Sequence, residues 1–186
     1  EASTVPVSVH LDHAESTDLC REAVELGFTS IMYDGSKLPD AQNRETTAEI
    51  TAFAHEHGVS VEAELGEVGG KNGVHDPSAR TNPEDAAQFV ADTGVDLLAV
   101  AVGSSHAMAT REAVLDNQLI AAIHELVPVP LVLHGSSGVP DDGMVAAIQA
   151  GMTKINVSTH LNVVFTQGVR QILDENPKIV DPRKYV

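Results

Sequence analysis

Short apolar runs rich in Val, Ile and Leu recur along the chain, each followed by a polar turn and then by a stretch with helical apolar spacing. The runs predict strands at Val5–Leu11, Thr29–Tyr33, Val59–Leu65, Leu97–Val102, Pro130–Leu133 and Lys154–Val157. The stretches between them predict helices at Ser16–Leu26, with Ser16 or Thr17 as N-cap, and at Ala41–His57, ending at Gly58. Pro83–Thr93 before Gly94, Asp116–Leu126, and Pro140–Ala150 before Gly151 repeat the pattern. The C-terminal tail reads as loose.

Near-continuous apolar strands alternating with helices indicate a parallel sheet covered on its outer face, hence an α/β fold. A (β/α)₈ barrel typically takes about 250 residues, so 186 residues fall short by roughly two βα units. The whole of 1–186 reads as one domain.

Composition narrows the function classes. Hydrophobic residues at 42% and charged residues at 20% are ordinary for a soluble globular chain. A formal net charge of -16 argues against nucleic acid and anionic membranes, both of which call for a basic surface. A small anionic substrate remains compatible, because one phosphate can be held by local backbone N–H groups and a metal. Cys20 is the single cysteine and reads as a small core residue. The N-terminus shows no basic stretch followed by an apolar one, and no apolar run nears membrane-spanning length, so cytoplasm is the default expectation.

The suggestive polar residues fall where strands end. Asp12 and His13 close the first predicted strand, Asp34 the second and Glu64 the third. His106 lies just beyond the fourth, His134 ends the fifth, and Asn156, Val157, Ser158 and Thr159 follow the sixth. Parallel α/β folds build their sites at these carboxyl ends, and a barrel gathers several of them at one mouth. Three neutral imidazoles plus an open position make a catalytic zinc set, which His13, His106 and His134 fit.

The other polar residues divide less cleanly. His55, His57, His75 and His124 fall on helices or loops and are expected in solvent. His10 shares a strand face with Asp12 and is either structural or an orienting partner of the site. Asp12 precedes a presumed ligand directly, so on an extended strand its side chain points to the other face unless the strand has turned. There it acts either as general acid and base or as a buried partner orienting a histidine. Asp34 and Glu64 suit a second cation or pairing with basic groups. Gly135, Ser136, Ser137 and Gly138 offer hydroxyls and N–H groups for a phosphate, as does the stretch from Asn156 to Thr159. Gly66–Asp76, glycine-rich and set after a strand end, reads as a lid.

Six motifs occur in a familiar order: HLDH at His10–His13, DGS at Asp34–Ser36, EAELGEVGG at Glu62–Gly70, GSSHA at Gly103–Ala107, HGSSG at His134–Gly138 and KINVST at Lys154–Thr159. Together they resemble the class II fructose-bisphosphate aldolase family over nearly the whole chain. The resemblance implies a (β/α)₈ TIM barrel whose third to eighth strands are the six seen here, with the first two absent. It implies Asp12 as proton donor, His13, His106 and His134 as ligands of one catalytic zinc ion, and Asp34 with Glu64 as a second metal-binding pair of some members. It also implies substrate or phosphate contacts from Gly135, Ser137 and Asn156 to Thr159, and a homodimer or homotetramer.

Several positions depart from the family pattern. Ala107 stands where the family commonly has Gly, HGSSG stands for HGGSG, Ser158 for Asp, and Lys71 and Asn72 for acidic lid residues. The lid then offers only Glu67 or Asp76 as a carboxylate. The implied activity is reversible aldol cleavage of fructose 1,6-bisphosphate to dihydroxyacetone phosphate and glyceraldehyde 3-phosphate. Three alternatives stand beside it: tagatose-bisphosphate cleavage, an imine mechanism on Lys154, and a non-catalytic sugar-phosphate-binding barrel.

Overall fold

A computed structural model of the chain describes residues 3–65, 80–108 and 110–186. Among the described residues, six strands alternate with six helices: β1 (His10–Ala14), α1 (Thr17–Glu25), β2 (Ser30–Tyr33), α2 (Asp40–Glu56), β3 (Ser60–Leu65), α3 (Pro83–Thr93), β4 (Leu97–Val100), α4 (Asn117–Leu126), β5 (Leu131–Leu133), α5 (Asp141–Ala150), β6 (Met152–Ile155) and α6 (Thr159–Glu175). All strand pairs are parallel and follow sequence order from β1 to β6. The sheet curls, because beyond β6 the Asn156 side chain reaches Asp12 of β1 at 3.3 Å. This is part of a (β/α)₈ barrel, the expected class.

The helices begin and end for local reasons. Ser16 caps α1 by accepting from the Leu19 N–H, Asn82 caps α3 through the Asp85 N–H, and Asp116 caps α4 through the Leu119 N–H. Gly94 closes α3 in a left-handed conformation at φ 69°. Their apolar faces bury against one side of the sheet, with Phe89, Ile31, Ile50, Leu98, Ile120, Ile123, Leu131 and Leu133 fully enclosed. Each such side chain contributes about 1.5–3 kcal/mol by leaving water. The other face of the sheet carries a smaller cluster of Met32, Ala99 and Val132, with buried Glu62 and Glu64 on alternate residues of β3.

The structure corrects the sequence reading at both ends of the chain. The first strand, expected at Val5–Leu11, runs His10–Ala14 instead, and Val5, Val7 and Val9 are exposed. Their β-branched alternation mimics a strand, but the ladder with β2 starts only at His10 opposite Ser30. The last strand, expected at Lys154–Val157, is Met152–Ile155. The tail expected to be loose contains α6, whose 17 residues include none that is buried. The helix does carry an apolar stripe, Leu161, Val164, Phe165, Val169, Ile172 and Leu173, and Leu161, Val164 and Phe165 of it are exposed. The proposed lid, Gly66–Asp76, lies outside the described residues. No helix among the described residues is long and apolar enough to cross a membrane.

Candidate active site

The first strand solves the parity problem of Asp12 and His13 with a bulge. Leu11 pairs with Ile31 and Ala14 with Tyr33, so β1 takes three steps where β2 takes two. The extra residue is accommodated by a left-handed His13, at φ 52°. Both adjacent side chains consequently face one cleft of about 450 Å³, with His10 beside them.

The rest of the cleft wall comes from β6 and from the loops after β4, β5 and β6. His106 arrives on the loop after β4 and His134 at the end of β5. Gly135 lets these two loops meet: it is left-handed at φ 66°, and a Cβ there would stand 2.6 Å from the Ser105 backbone. Any other residue would push His106 and His134 apart. The imidazole centroids lie 4.6 Å apart for His13 and His134, 5.0 Å for His13 and His106, and 5.6 Å for His106 and His134.

Glu64 joins them. One donor atom from each of His13, Glu64, His106 and His134 lies within 4.8 Å of all the others. His13 Nε2 is buried with no hydrogen-bond partner, and His134 Nδ1 has Glu64 Oε2 at 3.5 Å. A buried imidazole nitrogen left bare toward two other imidazoles and a carboxylate fits a cation between them.

The rear of two of the three rings is held. His13 Nδ1 donates to Asp34 Oδ2 at 2.7 Å, while Asp34 Oδ1 accepts from the Ser36 N–H and hydroxyl. His134 Nε2 donates to Glu62 Oε1 at 2.8 Å. Asp34 and Glu64, read from sequence as a possible second metal pair, therefore occupy different places. Asp34 stands behind His13, and Glu64 faces the histidine cluster.

Electrostatics agree with a site that wants positive charge. Burial alone disfavours the charged form of His134, but Glu62 and Glu64 outweigh it and raise its pKa to about 9. Burial likewise opposes ionised Glu62, yet His134 and Lys154 hold its pKa below the ordinary range. His10 moves the other way, lowered by burial and by Lys154, and its Nδ1 hydrogen-bonds the Ser30 hydroxyl at 2.9 Å.

The other predicted residues fall as follows. Asp12 is half exposed at the cleft mouth and accepts from Asn156 Nδ2. Gly135, Ser136, Ser137 and Asn156 to Thr159 line the same cleft, with Ser136–Gly138 as a short 3-10 turn and Thr159 opening α6. The Ser136 hydroxyl ties this turn to the Asn156 carbonyl, and Ser137 Oγ accepts from the His160 N–H. His55, His57 and His124 are exposed, as expected. Glu62 and Lys154 were not assigned to the metal site from sequence. The signal for Glu62 was there in VEAEL, where two carboxylates two residues apart in an apolar strand share one face.

Comparison with known proteins places this geometry. The chain is 42% identical over 185 residues to a fructose-bisphosphate aldolase of Geobacillus stearothermophilus, covering 98% of this chain and 64% of that protein. The crystal structure of the YdjI aldolase from Escherichia coli superposes with a TM-score of 0.81 at 36% identity, over 98% of this chain and 63% of the other. A fructose-bisphosphate aldolase structure from Campylobacter jejuni gives a TM-score of 0.78 at 25% identity, over 93% and 58%. The chain thus spans under two thirds of the length of these relatives. The profile of fructose-bisphosphate aldolase class-II matches residues 1–186, and with the 42% identical relative it shows that the chain belongs to that family.

Proposed function

We propose that the chain carries the catalytic centre of a zinc-dependent lyase performing reversible aldol cleavage of fructose 1,6-bisphosphate to dihydroxyacetone phosphate and glyceraldehyde 3-phosphate. The observation that carries this reading is the convergence of His13, His106 and His134, with Glu64, at the mouth of the sheet. Zinc held by the three histidines would polarise the ketose carbonyl and stabilise the charge left when the C3–C4 bond breaks. Three imidazoles with an open position suit that ion.

The chain's own residues supply the rest. Asp12, beside the ligand His13 and oriented by Asn156 Nδ2, takes the C4 hydroxyl proton in cleavage and returns it in condensation. Left-handed Gly135, the Ser136–Gly138 turn and the N-terminus of α6 offer hydroxyls and backbone N–H groups to a phosphate. Residues 1–186 belong to a single barrel domain, of which they supply six βα units, and the protein works in the cytoplasm as a homodimer or homotetramer. Lys154 is a poor imine nucleophile in this setting, since its Nζ is engaged by Glu62 Oε2 at 2.5 Å.

A coupled cleavage assay on fructose and tagatose 1,6-bisphosphates, with and without EDTA, tests the proposal on the full-length protein. Fructose 1,6-bisphosphate is expected to be cleaved, EDTA to abolish cleavage and added zinc to restore it. EDTA-resistant cleavage with borohydride trapping would move the chemistry to Lys154. Binding without turnover would make the protein a sugar-phosphate binder.

A further inference from the structure

Glu62 has no role in the proposal above, yet it sits wholly buried in the middle of β3, on the same face as Glu64. An ionised carboxylate is tolerated in such a place only when it is paired and hydrogen-bonded. Both oxygens are used. Oε1 accepts from His134 Nε2 at 2.8 Å, and Oε2 accepts from Lys154 Nζ at 2.5 Å, with His10 Nε2 at 3.8 Å from the same oxygen.

Lys154 reaches this position through a second irregularity of the sheet. Leu131 pairs with Met152 and Val132 with Lys154, so β6 takes one extra step against β5. The lysine then spans from the sixth strand to the third, holding the carboxylate from the side opposite His134.

The consequence falls on His134. Asn156 Nδ2 stands 3.2 Å from His134 Nε2, and a donor there favours the tautomer in which Nε2 is bare. The carboxylate favours the opposite one, and a hydrogen bond to a charged acceptor is about twice as strong as a neutral one. With Nε2 protonated toward Glu62, Nδ1 keeps its lone pair facing the point where His13 and His106 converge. Lysine fixes the second carboxylate oxygen, so Glu62 cannot rotate away from the ring.

We propose that Glu62, braced by Lys154, is a positioning residue that sets the tautomer and ring orientation of His134 and through it the metal affinity of the centre. The inference rests on the metal-binding reading given above. It concerns residues that act through His134.

Titration of the metal-free full-length protein with Co²⁺, followed by the visible absorption of the bound ion and by chelator competition, tests it. Glu62→Leu is expected to weaken Co²⁺ binding about 10–100-fold and to change the absorption band. Glu62→Gln, which keeps an acceptor oxygen, is expected to weaken it less. Lys154→Met is expected to weaken it too, but to add nothing to Glu62→Leu, because the lysine works only through Glu62. In ¹⁵N spectra of the zinc-loaded protein, His134 should be the Nε2–H tautomer, and Glu62→Leu should lose that preference. Parental affinity and absorption in Glu62→Leu would overturn the proposal. If Glu62→Leu does not fold, parental values in both Glu62→Gln and Lys154→Met overturn it equally. A parental protein that takes up no Co²⁺ is a separate result, and it removes the metal reading itself.

Discussion

The two sides of the cleft are built differently. On the β5 side, His134 is wholly buried, its strand pairs with β4 without a register shift, and carboxylates stand at both nitrogens. On the β1 side, the strand bulges, His13 is left-handed, and the neighbouring Asp12 side chain is 52% exposed. A cation needs ligands that do not move, and desolvated, doubly held imidazoles meet that need. The proton exchange proposed for Asp12 instead requires a reachable side chain, and the edge of the sheet leaves it so.

Substitution should separate the two sides most sharply. His134→Ala is expected to abolish metal retention and turnover together, and to destabilise the fold by about 3–5 kcal/mol because Glu62 and Glu64 lose their buried partner. Asp12→Asn is expected to retain the metal and the melting temperature while lowering kcat about 10²–10⁴-fold. Metal content after gel filtration, thermal melts and steady-state rates read the contrast. Metal loss in Asp12→Asn would erase it.

A smaller effect concerns pH. In the metal-free protein the folded His134 pKa, about 9, lies above the ordinary 6.5, so the proton stabilises the folded form. That contribution is fully present below pH 6.5 and is lost as pH rises through about 9. It is worth on the order of 3 kcal/mol at most. Urea unfolding in EDTA should therefore show stability falling between these values, and His134→Gln should flatten the fall. With metal bound, the same range should show affinity rising with pH, because the ion displaces a proton from Nδ1.

The smallest effect tests the loop that carries His106. Ala107 stands left-handed at φ 59°, a conformation that costs an L-residue about 1–2 kcal/mol. Ala107→Gly is expected to stabilise the protein by about 1 kcal/mol net of glycine's extra chain entropy, with little change in kcat. A lower melting temperature would show that the Ala107 methyl is needed for packing.

The α/β alternation and the three histidines were legible because both are repeated signals. Strand ends recur six times, and the histidines share that placement. The boundaries of β1 and β6 were not legible, since bulges depend on which residue faces which across a ladder, and a single strand does not contain that information. The same ladders decide that Lys154 meets Glu62, 92 positions away in sequence. Val5, Val7 and Val9 misled for the opposite reason, carrying the pattern of a strand where no ladder with β2 forms.

The bulge at Asp12 and His13 has a mechanical meaning. The proton carrier and one of the metal ligands of the proposed reaction, Asp12 and His13, are consecutive residues, so a single peptide unit fixes the spacing of their Cα atoms. Strands slide and barrels breathe, and distances between groups on different strands drift with them. Here one peptide unit joins Asp12 to His13, so a shift of one strand against another carries both together.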